Sequence, residues 1–242
     1  LNWAQTMVGH LRGGMAITTE IACMFFGAVS GSSPATVVAI GGLTYPKMIE
    51  QKYPQGFATG LITSSGSVAL LIPPSISAIV YGSVTGASVG ALFMAGLGAG
   101  IIYGIVYLIY CYWYACRHDI PRATKASVKE RLKATKDAAW ALGVPVIIIG
   151  GIYGGFFTPT EAAGVSAVYA ILVSLLIYRE MTLKQLWECC VASAGTTAQV
   201  MILLAAASIF GYVLTVGQVP QMLSSLIVNA NLNWVGFLLM VN

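Results

Sequence analysis

Charge is what this chain of 242 residues has least of: Asp, Glu, Lys and Arg together make up 8% of it, against 57% hydrophobic residues. An ordinary soluble domain is about a quarter charged, so a soluble fold is excluded. No charged residue occurs from Tyr53 to Cys116 (64 residues), from Ala138 to Thr160 (23), from Ala162 to Tyr178 (17) or from Cys189 to Asn242 (54). Roughly 20 apolar residues cross a hydrocarbon core, so these runs predict several membrane helices. Both aspartates, Asp119 and Asp137, lie in one basic loop, and neither a phosphate-binding GxxxxGK[ST] loop nor an HExxH pair is present. With no span offering an Asp for acid–base work, the chain does not read as an enzyme.

The five cysteines, Cys23, Cys111, Cys116, Cys189 and Cys190, include no Cys-x-x-Cys pair. Within or beside apolar runs cysteine acts as a small hydrophobe, so neither a disulfide nor a zinc site is expected. Positive charge is local: residues 117–137 hold seven basic and three acidic side chains, which accounts for the whole net +4. Basic loops collect on the cytoplasmic side, so the cluster is a topology signal and not a nucleic-acid surface. The chain also lacks a starting Met and a secretory signal pattern, and it stops inside an apolar run, so a longer parent protein is expected.

What is present is a series of apolar stretches of unequal length. Gly13 to Val29 and Pro34 to Ile49 would each form a helix about 25 Å long, short of a core of roughly 30 Å. Between them Ser30-Gly31-Ser32-Ser33-Pro34 is small, polar and uncharged. That suits a re-entrant hairpin over residues 13–50 whose tip stays inside the protein, with two thin full spans as the alternative. Residues 55–82 would make a helix about 42 Å long. Thr63-Ser64-Ser65-Gly66-Ser67 and Pro73-Pro74-Ser75 interrupt it, which predicts two half-helices around an unwound centre. Residues 88–116 read as a full span with Gly96, Gly100 and Gly104 at the spacing of close-packed membrane helices.

After the basic loop, whose residues 125–137 suit a surface helix, residues 138–153 form a short span. Thr158-Pro159-Thr160-Glu161 then starts a helix that runs to about Tyr178. Thr182-Leu183-Lys184-Gln185 repeats the capping pattern and opens a surface arm that feeds a span. Residues 219–231 are expected to be an outer connection, and Leu232 begins a further span. With one crossing for the broken segment and one for residues 88–116, all twelve Lys and Arg fall on one side of the membrane.

An interrupted membrane helix exposes carbonyls at one half and amide groups at the other, and irregular backbone survives there only when buried or lining a cavity. Two breaks occur here, at Ser30 to Pro34 and at Thr63 to Ser75. Packed together, they would offer hydroxyls and carbonyls to a hard cation such as sodium. The helix starts at Ser33-Pro34 and Pro73-Pro74-Ser75 would face an anion. The competing reading is that Gly, Ser and Pro only kink or pack helices; two breaks in segments of the wrong length for intact spans favour ion-coupled transport of an anion. Glu20 is the one acid well inside an apolar stretch. Pairing near the interface or hydration explains it as well as a proton relay does. Glu161 reads as a capping residue, and His10 and His118 as solvated flanks.

These residues resemble the large membrane subunit of tripartite ATP-independent periplasmic (TRAP) transporters, the DctM-like permeases. The resemblance is carried by Phe25-Phe26-Gly27-Ala28-Val29-Ser30-Gly31-Ser32-Ser33-Pro34-Ala35-Thr36, Gly56-Phe57-Ala58-Thr59-Gly60-Leu61, Leu71-Ile72-Pro73-Pro74-Ser75 and Gly154-Gly155-Phe156-Phe157-Thr158-Pro159-Thr160-Glu161-Ala162-Ala163, and it covers nearly the whole chain.

The resemblance implies an all-α integral membrane protein: an elevator-type transporter with inverted repeats, each with a re-entrant helical hairpin and a broken transmembrane helix. It implies sodium-coupled import of a carboxylate, such as a C4-dicarboxylate, delivered by a periplasmic binding protein. The other implied partner is a small membrane subunit, separate or fused. Sodium is the coupling ion, and no other cofactor is implied. The setting is the lipid of the bacterial inner membrane, crossed many times, and nucleic acid plays no part.

Carried over by motif, Ser30, Gly31, Ser32 and Ser33 of the tip would join Thr63, Ser64, Ser65 and Gly66 of the broken helix in one sodium site. Ser33, Pro34, Ser67, Pro73, Pro74 and Ser75 would face the substrate. Residues 1–116 would be first-repeat transport elements (hairpin 13–50, broken helix 55–82, span 88–116) and 117–137 a basic cytoplasmic loop. Residues 138–242 would be second-repeat scaffold and arm helices, cut before the second hairpin. A two-component sodium-coupled dicarboxylate or citrate carrier of related fold is the alternative, followed by a non-transport membrane scaffold.

Overall fold

The structure, a computed structural model, describes residues 1–118, 120, 125–229 and 236, and its described elements are helical throughout. Two compact units form, Leu1–Met181 and Thr182–Asn242. The expected functional boundaries after residues 116 and 137 both fall within the first.

The first unit comprises α1 (Asn2–Val8), α2 (Gly14–Ser30), α3 (Ser33–Glu50), α4 (Gln55–Gly66), a 3₁₀ turn (Ser67–Leu70), α5 (Ile76–Thr85), α6 (Val89–Arg117), α7 (Val128–Tyr153) and α8 (Pro159–Leu172). The last runs on as a π-helical turn to Tyr178. Helix α2 is the hub, packed against α1, α3, α4, α6 and α7, with every residue from Gly14 to Glu20 buried. Two of these are threonines, which a membrane core tolerates only when their hydroxyls are satisfied. Thr18 and Thr19 donate back to the carbonyls of Gly14 (2.6 Å) and Met15 (2.9 Å). Helix α3 returns along α2 and brings Met48 Sδ to 3.9 Å from the Thr19 hydroxyl.

The glycine stripe of α6 is a contact face. A Cβ on Gly96 or Gly100 would run into Leu71 and Ile72, and one on Gly104 into Met24. Small residues thus seat α6 directly against the irregular segment between α4 and α5, as close helix approach in membranes requires.

Two elements differ from the sequence reading. Thr63 to Gly66 are not unwound: they complete α4, and the break lies at residues 67–75. The reason is chemical. Ser and Thr remain in a helix where water is absent, whereas Pro73 and Pro74 have no N–H to donate and push preceding residues out of helical geometry. Helix α7 likewise begins at Val128 and not at Ala138. Ser127 and Glu130 form a reciprocal capping box there, with Ser127 N–H donating to Glu130 Oε2 at 2.6 Å, so the basic segment and the apolar span are one helix.

In the second unit α9 (Leu183–Val216) is a single helix of 34 residues, about 51 Å long. It starts at the expected Thr182/Gln185 capping box, and none of its residues is buried. Helix α10 covers Val219–Asn229. The span expected from Leu232 lies outside the described residues, Gly236 apart. Four stretches are long and apolar enough to cross a membrane: Val89–Arg117, Val128–Tyr153, Pro159–Tyr178 and Leu183–Val216, whereas α2 is a shorter apolar helix.

Candidate functional site

Helix α2 ends because Gly31 adopts a left-handed conformation (φ 61°, ψ 11°), its N–H closing on the Gly27 carbonyl at 2.8 Å. Only glycine takes this conformation without strain. The chain then extends through Ser32, which caps α3, its Oγ accepting the Ala35 N–H at 3.5 Å. Pro34 fits the first helical turn, where no N–H partner is needed. Ser30 and Thr36 share a hydroxyl hydrogen bond of 3.1 Å, Ser32 N–H donates to Ser30 Oγ at 3.3 Å, and Thr36 Oγ1 donates to the Ser32 carbonyl at 2.9 Å. The tip is therefore a knot of oxygen atoms, the donor chemistry that hard cations take.

The break after α4 closes on this tip. Ser75 is buried, caps α5 by accepting the Ala78 N–H at 3.3 Å, and donates to the Leu70 carbonyl at 2.7 Å, fastening both ends of the loop that carries Pro73 and Pro74. Ile76 N–H reaches across to the Gly31 carbonyl at 3.3 Å. A Cβ at Gly31 would strike the Pro74 carbonyl, and one at Gly66 would strike Val37 and approach the Ser33 carbonyl at 3.4 Å. The N-termini of α3 and α5 consequently lie side by side. Their first-turn amides at Ser33 and Ser77 have no acceptor within their own helices, a pairing suited to an anion.

The residues named from sequence fall into two groups. Ser30, Gly31, Ser32, Ser33, Pro34, Gly66, Pro73, Pro74 and Ser75 surround the tip and the break, with Ser67 beginning the 3₁₀ turn. Thr63 is exposed on α4, and Ser64 uses its carbonyl to accept the Tyr103 hydroxyl at 2.8 Å. Ser65 is buried and turned toward Glu20. Glu20 is neither hydrated nor paired: it is fully buried and both carboxyl oxygens lack a hydrogen-bond partner.

Sequence reasoning missed Thr36, whose signal was its position four residues after Ser32 and six after Ser30. It also missed the Gly86-Ala87-Ser88-Val89-Gly90 run, which has nucleophile-elbow spacing. A helix precedes that run where such an elbow needs a strand, and Ser88 caps α6 by accepting the Ala91 N–H at 3.4 Å. Beside the tip, a cleft of about 460 Å³ opens between α4 and α6, lined by Gly56, Gly60, Ser64, Phe57, Tyr107 and Tyr110.

A buried hairpin whose tip meets a broken helix, among helices of spanning length, defines a polytopic helical membrane protein. The family model "Tripartite ATP-independent periplasmic transporter, DctM component" matches residues 1–242. The chain is 43% identical over 242 residues to the ectoine/5-hydroxyectoine TRAP transporter large permease of Ruegeria pomeroyi, covering all of this chain and 56% of that protein. Over 242 residues it is 42% identical to the C4-dicarboxylate TRAP transporter large permease of Pseudomonas aeruginosa (all of this chain, 57% of that protein). It is also 41% identical over 247 residues to the isethionate TRAP transporter permease protein DctMQ of Oleidesulfovibrio alaskensis (all of this chain, 38% of that protein). The chain belongs to the DctM family of TRAP transporter large permeases, and it spans between 38% and 57% of the length of these three relatives.

Proposed function

We propose that this chain is the central part of the permease subunit of a sodium-coupled tripartite importer in the bacterial inner membrane, working as an elevator of two inverted repeats. The reading assigns it no catalysis. Its substrate is a small organic solute bearing an anionic group. The relatives' names include C4-dicarboxylate, ectoine and isethionate, so the class is broader than dicarboxylates. The partners are a periplasmic binding protein that delivers the solute and a small membrane subunit, separate or fused.

The observation that carries this reading is the contact between tip and break, with Ile76 N–H on the Gly31 carbonyl at 3.3 Å. Residues Ser30, Gly31, Ser32, Ser33 and Gly66 would supply oxygen atoms to the cation. The α3 and α5 N-termini, through Ser33, Pro34 and the Pro73–Ser75 segment, would meet the anionic group of the solute. Cation and anion then neutralise one another at a site where neither would be stable alone.

The test is uptake into proteoliposomes by the complete permease with its small subunit and binding protein, with and without an inward sodium gradient. Uptake that needs sodium and the binding protein, and that falls in Ser32→Ala/Ser33→Ala, supports the reading. Uptake indifferent to all three overturns it.

A further inference from the structure

Glu20 occupies the middle of α2, the hub of the first unit, and is fully buried. Neither carboxyl oxygen has a hydrogen-bond partner, and across from it on α4 the buried Ser65 hydroxyl has none either. The other polar groups of this layer are already engaged. Thr18 and Thr19 are bonded back along α2, and Tyr103 donates to the Ser64 carbonyl. The titratable neighbours that feel the carboxyl are Cys23 on its own helix and Cys111 and Tyr103 on α6. Helix α3 meets the adjacent Thr19 with Met48, and its charged residues are the half-buried Lys47 and the exposed Glu50. No charged group acts on the carboxyl, and among the described residues the one ion pair is Lys184–Glu188.

A buried carboxylate left alone is among the most costly arrangements in a protein, so a positive partner is required. A proton on the carboxyl would create an O–H donor, and the obvious acceptor, Ser65 Oγ, forms no such bond. Three oxygen atoms facing one another without donors are satisfied together by one shared cation. One carboxylate balances one charge, and oxygen ligands favour a hard ion.

We propose that Glu20 and Ser65 bind a small monovalent alkali cation, with Glu20 as its counter-charge inside the hairpin. Ser65 precedes Gly66, which packs against Ser33 of the tip, so the cation would sit beneath the tip and tie α2 to α4. The proposal deepens the transport reading above and rests on it for the cation's role in import; binding itself does not depend on that reading.

The experiment is thermal unfolding of the complete permease in detergent, titrated with NaCl, LiCl or KCl at constant ionic strength and at several pH values. A ligand that binds only the folded state raises Tm in proportion to the logarithm of its concentration. One of the three cations should raise the wild-type Tm, and Ser65→Ala should shift half-saturation by roughly ten-fold. Glu20→Asp should retain a weakened response. Glu20→Gln should lose the response while melting, without cation, no lower than wild type, since it removes an unpaired buried charge. An unchanged response in Glu20→Gln overturns the proposal, as does a wild-type Tm that follows pH and ignores all three cations. Cation-raised Tm together with sodium-independent uptake would leave this site standing and overturn the transport reading instead.

Discussion

Gly31 is a residue whose identity is forced twice, by its left-handed backbone and by the Pro74 carbonyl packed where a side chain would begin. A non-glycine residue in that conformation costs about 1–2 kcal/mol before any clash. Gly31→Ala should therefore lower the melting temperature of the complete permease and reduce uptake. Gly60→Ala, with open space around its Cβ, should be neutral or stabilising by up to about 1 kcal/mol through helix propensity. Equal effects at the two positions would refute the role assigned to the tip contact. Ser75→Ala removes both the α5 cap and the bond to the Leu70 carbonyl, and a loss of about 1–2 kcal/mol is expected in the same melts. At this scale the sequence was legible wherever the signal is local. Ser33-Pro34, Pro73-Pro74-Ser75 and Thr158-Pro159 all mark helix starts that the structure contains. Glu20 was not legible, because rise per residue gives depth along α2 but says nothing about which neighbours surround it.

The elements meet through gaps as much as through contacts. Gly66 of α4 admits Val37 of α3 at a distance that leaves no room for a methyl group. Gly66→Ala should destabilise, Val37→Ala should cost less, and the double variant should recover part of the loss. A coupling of about 1 kcal/mol is expected, read from a double-mutant cycle of melting curves; strict additivity would show that α3 and α4 do not touch there. Helix boundaries were less legible than helix starts. The Thr63–Ser67 run suggested an unwound centre because hydroxyl residues favour turns in water, whereas the prolines several residues later set the stop. The charge gap after Asp137 suggested a boundary too, but the Ser127/Glu130 capping box places the true start ten residues earlier than Ala138. A polarity change along a chain need not be a change of element.

For the whole molecule, the testable quantity is sidedness. If basic segments face the cytoplasm, cysteines introduced at Lys52 and Lys129 in a cysteine-free permease should react with a membrane-impermeant reagent only from the cytoplasmic side. Cysteines at Thr85 and Gly155 should react only from the periplasmic side. Labelling of Lys52 and Lys129 positions from opposite sides would overturn the topology. The spans of α6, α7 and α8 were legible because length and apolarity need no tertiary information. The pairing of tip and break was inferable only as a possibility of packing, since sequence separates Gly31 from Ile76 by more than forty residues.

That pairing is written in main-chain atoms: a glycine carbonyl, a proline carbonyl and the amide of residue 76. A joint made this way does not read side chains, Gly31 excepted. Residues 32, 33, 75 and 77 can therefore drift under selection for a new solute while the geometry that holds them persists. A transporter built on such a joint can change its diet by point substitution without first having to reinvent its hinge.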